Sequence, residues 1–186
     1  WVHDAIRLDG WSGRPVCARY ALVLYELCKR VGRGLNCRFL AQVLNEMYLA
    51  MGFPSRFVTC QSKAYNTDTD CHVINMVWSR QLGKWIWMDA SFAAYVTDDN
   101  GLLLHPGEVR ERLIKGLPLV LNEDANWNHK TKQTKAGYLE NYMAKNLYML
   151  DAHLESRFET EPADGSGSRQ IYLVPEGFWP LSEYAT

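Results

Sequence analysis

The sequence predicts an α+β fold in which helices pack on an antiparallel β-sheet. One observation behind this prediction is a long amphipathic helical pattern that begins after Asn36 and ends at Gly52. A second is the change of period beyond that helix, where short runs of β-branched and aromatic residues alternate with turn residues. Strands that follow one another in sequence across short turns favour antiparallel pairing.

The composition indicates one globular domain over residues 1–186, because 47% of the residues are hydrophobic and only 22% are charged. The formal net charge is −1, so no basic excess favours binding to nucleic acid. Apolar runs are much shorter than the ~20 residues of a membrane helix, and we expect a soluble domain without a membrane span. The chain begins at Trp1 without a leader pattern, so the compartment is undetermined; a leader already removed would be consistent with an extracytoplasmic domain.

Three helices are predicted before the strands. The first covers Trp1 to Leu8, and the second begins near Pro15, which suits a first helical position, and ends by Gly32. The third has Asn36 as N-cap and Gly52 as its stop. Its apolar positions recur at helical spacing, at Phe39, Leu40, Val43, Leu44, Met47, Tyr48 and Met51.

The predicted strands come next, at Phe53–Cys60, Cys71–Trp78 and Lys84–Asp89. Residues from 92 onward form an extension with helical patterns at 108–115 and about 135–146.

The extension also contains a predicted hairpin. Its strands lie within residues 147–158 and 169–174, and the Gly-Ser patch at 165–168 is the expected turn.

Cys37 is the first candidate for chemistry because it follows the N-cap directly. Unpaired amides and the positive end of the helix dipole favour a thiolate at this position and offer a donor to an oxyanion. The alternative is that Cys37 is an ordinary buried apolar residue.

His72 and Asp89 are the candidate partners of the thiol. If residues 79–83 form the turn, Trp78 pairs with about Gly83, which places His72 directly opposite Asp89. A carboxylate at that distance can fix the imidazole tautomer and support the imidazolium. Alternatively, the two residues lie on a surface sheet without a shared role.

These residues stand in a pattern that resembles the transglutaminase-like superfamily. The similarity runs from about Arg19 to Ser91. It includes Asn36-Cys37-Arg38 at a helix start, Met51-Gly52-Phe53-Pro54-Ser55-Arg56-Phe57-Val58 at a strand entry, His72, and Gly83-Lys84-Trp85-Ile86-Trp87-Met88-Asp89. The resemblance implies a papain-like α+β core with Cys37 as nucleophile, His72 as base and acid, and Asp89 as the residue that orients the histidine.

The expected chemistry is acyl transfer at amide or peptide bonds through a thioester on Cys37, with a peptide, protein or amide as substrate. Hydrolysis is favoured over transamidation, because no acidic cluster is arranged as a calcium loop. Trp11, Tyr65 and Trp87 are candidates to bind the substrate.

We expect no cofactor and no metal. Cys60, Cys71 and His72 lack the paired Cys-x-x-Cys spacing of a zinc site, although Cys60 and Cys71 could close a loop as a disulfide. The other histidines are expected on the surface or in loops, namely His3, His105, His129 and His153.

Two other functions stay open. The stretch Arg33-Gly34-Leu35-Asn36-Cys37 is similar to the Arg-Gly-Gly-x-Cys pattern of arylamine N-acetyltransferases, although Leu35 replaces the second glycine. A binding or scaffold domain that keeps the fold without catalysis is the other alternative, and it predicts an unreactive Cys37.

Overall fold

The computed structural model describes residues 1–167 and 169–175, and it shows the predicted α+β architecture with an antiparallel sheet. The helices are α1 (Val2–Ala5), α2 (Ala21–Val31), α3 (Cys37–Ala50), α4 (Pro106–Lys115), a π-helix (Lys135–Met143) and its α-helical continuation α5 (Ala144–Asn146). The strands are β1 (Ser55–Gln61), β2 (Cys71–Ser79), β3 (Lys84–Met88), β4 (Val96–Thr97), β5 (Val120–Leu121), β6 (Asn126–Trp127), β7 (Thr131–Lys132), β8 (Met149–His153) and β9 (Gln170–Leu173).

The main sheet has five strands in the order β3-β2-β1-β8-β9. Helix α3 packs on β1 and β2, where Phe57 and Val73 meet Ala41. The opposite face of the sheet carries Val58 and Ile74, which pack against the part of the chain beyond residue 92. The sheet is therefore enclosed between the α3 layer and the C-terminal extension.

The second predicted helix begins later than expected. The structure starts α2 at Ala21, whereas the proline pattern predicted a start near Pro15. The residues between them are irregular, and Arg19 is held there because its N–H donates to Glu159 and its guanidinium donates to the carbonyls of Glu161 and Pro162. Helix α2 has no side-chain cap of its own, and the Ala21 N–H donates instead to Glu46 of α3. Contacts between distant segments thus set this boundary.

The first helix is also shorter than predicted, since α1 ends at Ala5. The segment after it extends and forms a parallel bridge between Leu8 and Leu35.

The predicted C-terminal hairpin pairs as expected but is not closed by a Gly-Ser turn. Strands β8 and β9 are antiparallel, yet residues 154–169 form a long connection between them, with Ser168 outside the described residues. Part of that connection returns to α3, where the N–H of Glu159 donates to Glu46 and Arg38 pairs with Glu161. Those contacts explain why the connection is long rather than tight.

In the described part of the chain, no helix has the length and apolar character needed to cross a membrane.

Candidate active site

Cys37 is the first residue of α3, where the sequence placed it. The side chain of Asn36 caps the helix by accepting the N–H of Phe39 at 3.3 Å. Cys37 is partly exposed and packs beside Val73 and Ala41. Its thiol therefore lies at the positive end of a 14-residue helix and remains open to a reactant.

His72 and Asp89 are hydrogen-bonded to each other in the protein interior. The distance from His72 Nε2 to Asp89 Oδ2 is 2.7 Å, and the two residues are only 2% and 3% exposed. The other carboxylate oxygen of Asp89 accepts the N–H of Ser91 at 2.7 Å and that of Phe92 at 3.4 Å. Asp89 is thus fixed by its own turn, and Nδ1 of His72 is left to face Cys37.

The register of the hairpin differs from the predicted one by two residues. Ser79 pairs with Lys84 and Trp78 with Trp85, so His72 and Asp89 are not directly opposed. Strand β3 ends at Met88, and Asp89 forms a bridge with Ala94 instead. An offset of two preserves the face on which a side chain lies, and diagonal neighbours on one face remain within reach of each other. The hydrogen bond therefore forms despite the wrong register.

The thiol and the imidazole shift each other's proton affinity. Burial acts to raise the pKa of Cys37, but the hydrogen bond and charge of His72, with a backbone hydrogen bond from Val73, lower it below its ordinary value. Burial acts to lower the pKa of His72, but the charge and hydrogen bond of Asp89, together with Cys37, raise it to about 10. Both shifts favour a thiolate beside an imidazolium.

Two tyrosines of the extension complete the surroundings, and sequence reasoning missed both. The hydroxyl of Tyr138 donates to Asp89 Oδ2 at 2.6 Å, while the ring of Tyr142 lies 5.4 Å from that of His72 between centroids. The ring of Phe92 lies 5.5 Å from that of His72 between centroids and also neighbours the ring of Tyr142. No motif marks these residues, although their spacing of four on a helical pattern places both tyrosines on one face.

The three predicted substrate-binding aromatics lie in different surroundings. Trp87 is fully buried in the core with Ile74 and Tyr138, so the structure contradicts its assignment as a substrate contact. Trp11 is 98% exposed in the turn after Asp9, and Tyr65 is partly exposed in the loop between β1 and β2. Roles for Trp11 and Tyr65 stay predictions.

The remaining cysteines are free thiols. Cys60 pairs with His72 and Cys71 with Gln61 on adjacent strands, so Cys60 and Cys71 point to opposite faces of the sheet and do not form a disulfide. Burial raises the pKa of both thiols, in contrast to that of Cys37.

Two histidines expected at the surface are buried, namely His3 and His153. His153 Nε2 contacts Glu161 Oε1 at 2.8 Å, and the same oxygen accepts from Arg38 Nη1 at 2.6 Å. Arg38 also donates to the hydroxyl of Thr59. This ion pair network ties the start of α3 to the extension, directly beside Cys37.

A family model described as the transglutaminase-like superfamily matches residues 1–90, the part of the chain that contains Cys37, His72 and Asp89. This part of the chain, just under half of its length, is therefore similar to members of the transglutaminase-like superfamily. Comparisons with the curated proteins and with the solved structures gave no match.

Proposed function

We propose that the protein is a thiol-dependent enzyme that transfers acyl groups from amide or peptide bonds through a thioester on Cys37, with water as the preferred acceptor. The observation that carries the proposal is the continuous chain of contacts from Cys37 through His72 to Asp89, at the start of α3. The similarity of residues 1–90 to the transglutaminase-like superfamily supports the same chemistry.

The first half of the reaction forms the thioester. The Cys37 thiolate attacks the carbonyl carbon of the substrate, and the carbonyl electron pair moves onto the oxygen. As the tetrahedral intermediate collapses, the C–N bond breaks and the leaving nitrogen takes a proton from the His72 imidazolium. The amine product leaves, and His72 is neutral.

The second half releases the acyl group. Neutral His72 takes a proton from water, whose oxygen attacks the thioester carbonyl. Collapse of this intermediate breaks the C–S bond, the acid leaves, and Cys37 is again a thiolate beside protonated His72. A primary amine in place of water would give transamidation.

Asp89 has a supporting role in both halves. Its hydrogen bond to Nε2 fixes the ring so that Nδ1 faces the sulfur, and its charge stabilises the imidazolium. The amide of Cys37 is one of the first four of α3 and is free of an intrahelical bond, so it can donate to the developing oxyanion.

The test is acylation by p-nitrophenyl acetate, followed by intact mass and peptide mapping. We expect one acetyl group on Cys37, released by water with a burst of nitrophenolate. Cys37→Ala should abolish the burst, and His72→Ala should slow both acylation and release. Cys71→Ala, which removes another partly exposed thiol, is the matched control and should leave the burst intact.

A second measurement identifies the acceptor. Adding a primary amine such as cadaverine should leave acetate as the main product if water is preferred. Acetylation of another residue, or a rate unchanged in His72→Ala, would favour a scaffold domain without catalysis.

A further inference from the structure

A cluster of potential metal ligands lies where α1 meets the β6–β7 hairpin. Donor atoms of His3, Asp4 and His129 all lie within 4.8 Å of one another. His129 Nε2 is 3.2 Å from Asp4 Oδ1, and the rings of His3 and His129 are 4.8 Å apart between centroids. A distance near 3.2 Å between two donors is the spacing of two ligands on one zinc ion, given bond lengths of about 2.0–2.2 Å.

The hydrogen bonds of His3 supply an independent reason to expect a cation here. Its Nδ1 lies 3.2 Å from the carbonyl oxygen of Ser91, and its Nε2 lies 2.9 Å from Asn126 Oδ1. Both partners are acceptors, because Asn126 Oδ1 also accepts the N–H of His129 at 2.6 Å. Two acceptors around one imidazole call for positive charge at this ring, either a second proton or a metal ion bound to one nitrogen.

A metal ion on Nε2 satisfies both contacts without a second proton on the ring. If Nδ1–H donates to the Ser91 carbonyl, the lone pair of Nε2 is free to bind a metal, and ligating histidines commonly donate their other ring N–H to a backbone carbonyl. His3 is only 7% exposed, which fixes its ring, whereas the side chains of Asp4 and His129 are 62% and 58% exposed and can adjust.

We propose that His3, His129 and Asp4 bind one Zn²⁺, with Asn126 Oδ1 or water as the fourth ligand. Two imidazoles and a carboxylate suit zinc better than Mg²⁺ or Ca²⁺, which prefer oxygen ligands alone. The expectation of no metal rested on the spacing of Cys60, Cys71 and His72, and it did not consider ligands that the fold brings together from distant positions.

The zinc site would connect α1 to the turn that holds Asp89. Ser91 accepts from His3 through its carbonyl and donates to Asp89 through its N–H. Asn126 N–H donates to the carbonyl of Phe92 in the same turn. Zinc bound at this position therefore stabilises the segment that positions the carboxylate, without touching the thiol.

Zinc titration by calorimetry tests the proposal, with the Cys37→Ser variant as host so that the reactive thiol cannot bind the ion. We expect one equivalent of Zn²⁺ to bind, a melting temperature that rises with zinc, and no such rise with Mg²⁺. Asp4→Asn and His129→Ala change exposed side chains, so both variants should fold, and each should weaken zinc binding by ~10-fold or more.

Glu123→Gln is the matched control, because it removes a nearby exposed carboxylate outside the cluster. It should leave zinc affinity unchanged. Absence of saturable binding, or equal affinity in Asp4→Asn, His129→Ala and the host, overturns the proposal. Zinc binding by the parent protein that is lost in the Cys37→Ser host would place the ion at the thiol, and this result would also overturn the proposal.

Discussion

At the scale of single residues, the central feature is a charge pair shared by Cys37 and His72. Each residue moves the other's pKa in the direction that keeps both charged, and Asp89 supplies a further negative charge to the imidazole. The pair therefore exists between the lowered pKa of the thiol and the raised pKa of the histidine. Cys71, whose thiol pKa is raised by burial, has no such pair.

The pair predicts the pH dependence of alkylation. The rate of iodoacetamide labelling at Cys37 should rise as pH passes the lowered thiol pKa, reach a plateau once the thiolate predominates, and change again near pH 10 as His72 loses its proton. His72→Ala removes the group that lowers the thiol pKa, so labelling of Cys37 near neutral pH should slow by about tenfold or more. Peptide mapping of the labelled thiols over a pH series measures both effects.

The result that would contradict this prediction is faster labelling at Cys17, Cys28, Cys60 or Cys71 than at Cys37. A profile for Cys37 centred at the ordinary thiol pKa would do the same.

At the scale of elements, the start of α3 combines a cap with a nucleophile. Asn36 holds the first turn through the N–H of Phe39, and Cys37 follows at once. The cap should therefore influence both the stability of the helix and the electrostatics at the sulfur.

Two substitutions at Asn36 separate these contributions. Asn36→Ala removes the cap and should lower the free energy of unfolding by about 1 kcal/mol. Asn36→Asp keeps a capping oxygen but adds a negative charge beside the thiolate, so stability should be retained while the alkylation profile of Cys37 moves to higher pH. Urea unfolding and iodoacetamide labelling of both variants provide the comparison, and equal pH profiles would argue against an electrostatic role for this position.

The π-helix contributes to the site through one hydroxyl. Tyr138→Phe removes the donor to Asp89 Oδ2 and should lower the free energy of unfolding by about 1.5–3 kcal/mol, the range for hydrogen bonds to charged groups. Tyr142→Phe is the matched control on the same helix, because the contact of Tyr142 with His72 is made by its ring. Denaturant unfolding of both variants is the measurement. Equal decreases in the free energy of unfolding would mean that the hydrogen bond from Tyr138 to Asp89 contributes no extra stability.

At the scale of the whole molecule, an ion pair network joins the extension to α3. Burial acts to raise the pKa of Glu161, but the hydrogen bond from His153 and the charge of Arg38 lower it overall. A carboxylate with a lowered folded-state pKa stabilises the protein above its unfolded pKa of about 4.3, and this stabilisation disappears as pH falls through the folded value.

Glu161→Gln should therefore lower the free energy of unfolding by about 2 kcal/mol at neutral pH, and the difference from the parent should shrink in acid. Glu111→Gln removes an exposed carboxylate that pairs with Lys115 on α4, and it should change stability by less than about 0.5 kcal/mol. Thermal unfolding across a pH series tests the sign, and a difference that grows in acid would refute it.

The sequence predicted the features that depend on neighbours along the chain. The bounds of α3 follow from Asn36, the apolar spacing and Gly52, and the three strands after it were predicted in order. The predicted register of the β2–β3 hairpin was wrong by two residues, because Ser79 pairs with Lys84 instead of belonging to the turn. The residues of the hairpin do not determine which of these two arrangements forms.

Long-range contacts account for the rest of the differences. The start of α2 depends on Glu46 and Glu159, which lie far from it in sequence. The bond from Tyr138 to Asp89 spans 49 positions, and nothing near either residue indicates it.

The position of β8 in the sheet has a consequence for biosynthesis. β8 lies between β1 and β9, and it pairs Thr59 with Asp151, so the edge of β1 stays open until the ribosome has made the second half of the chain. Such distant pairings form slowly, and chains emerge at roughly 5–20 residues per second. Cys37, His72 and Asp89 are all synthesised before Tyr138 and β8. A nascent chain therefore carries its nucleophile for several seconds before Tyr138 can donate to Asp89 and before β8 can cover the edge of β1.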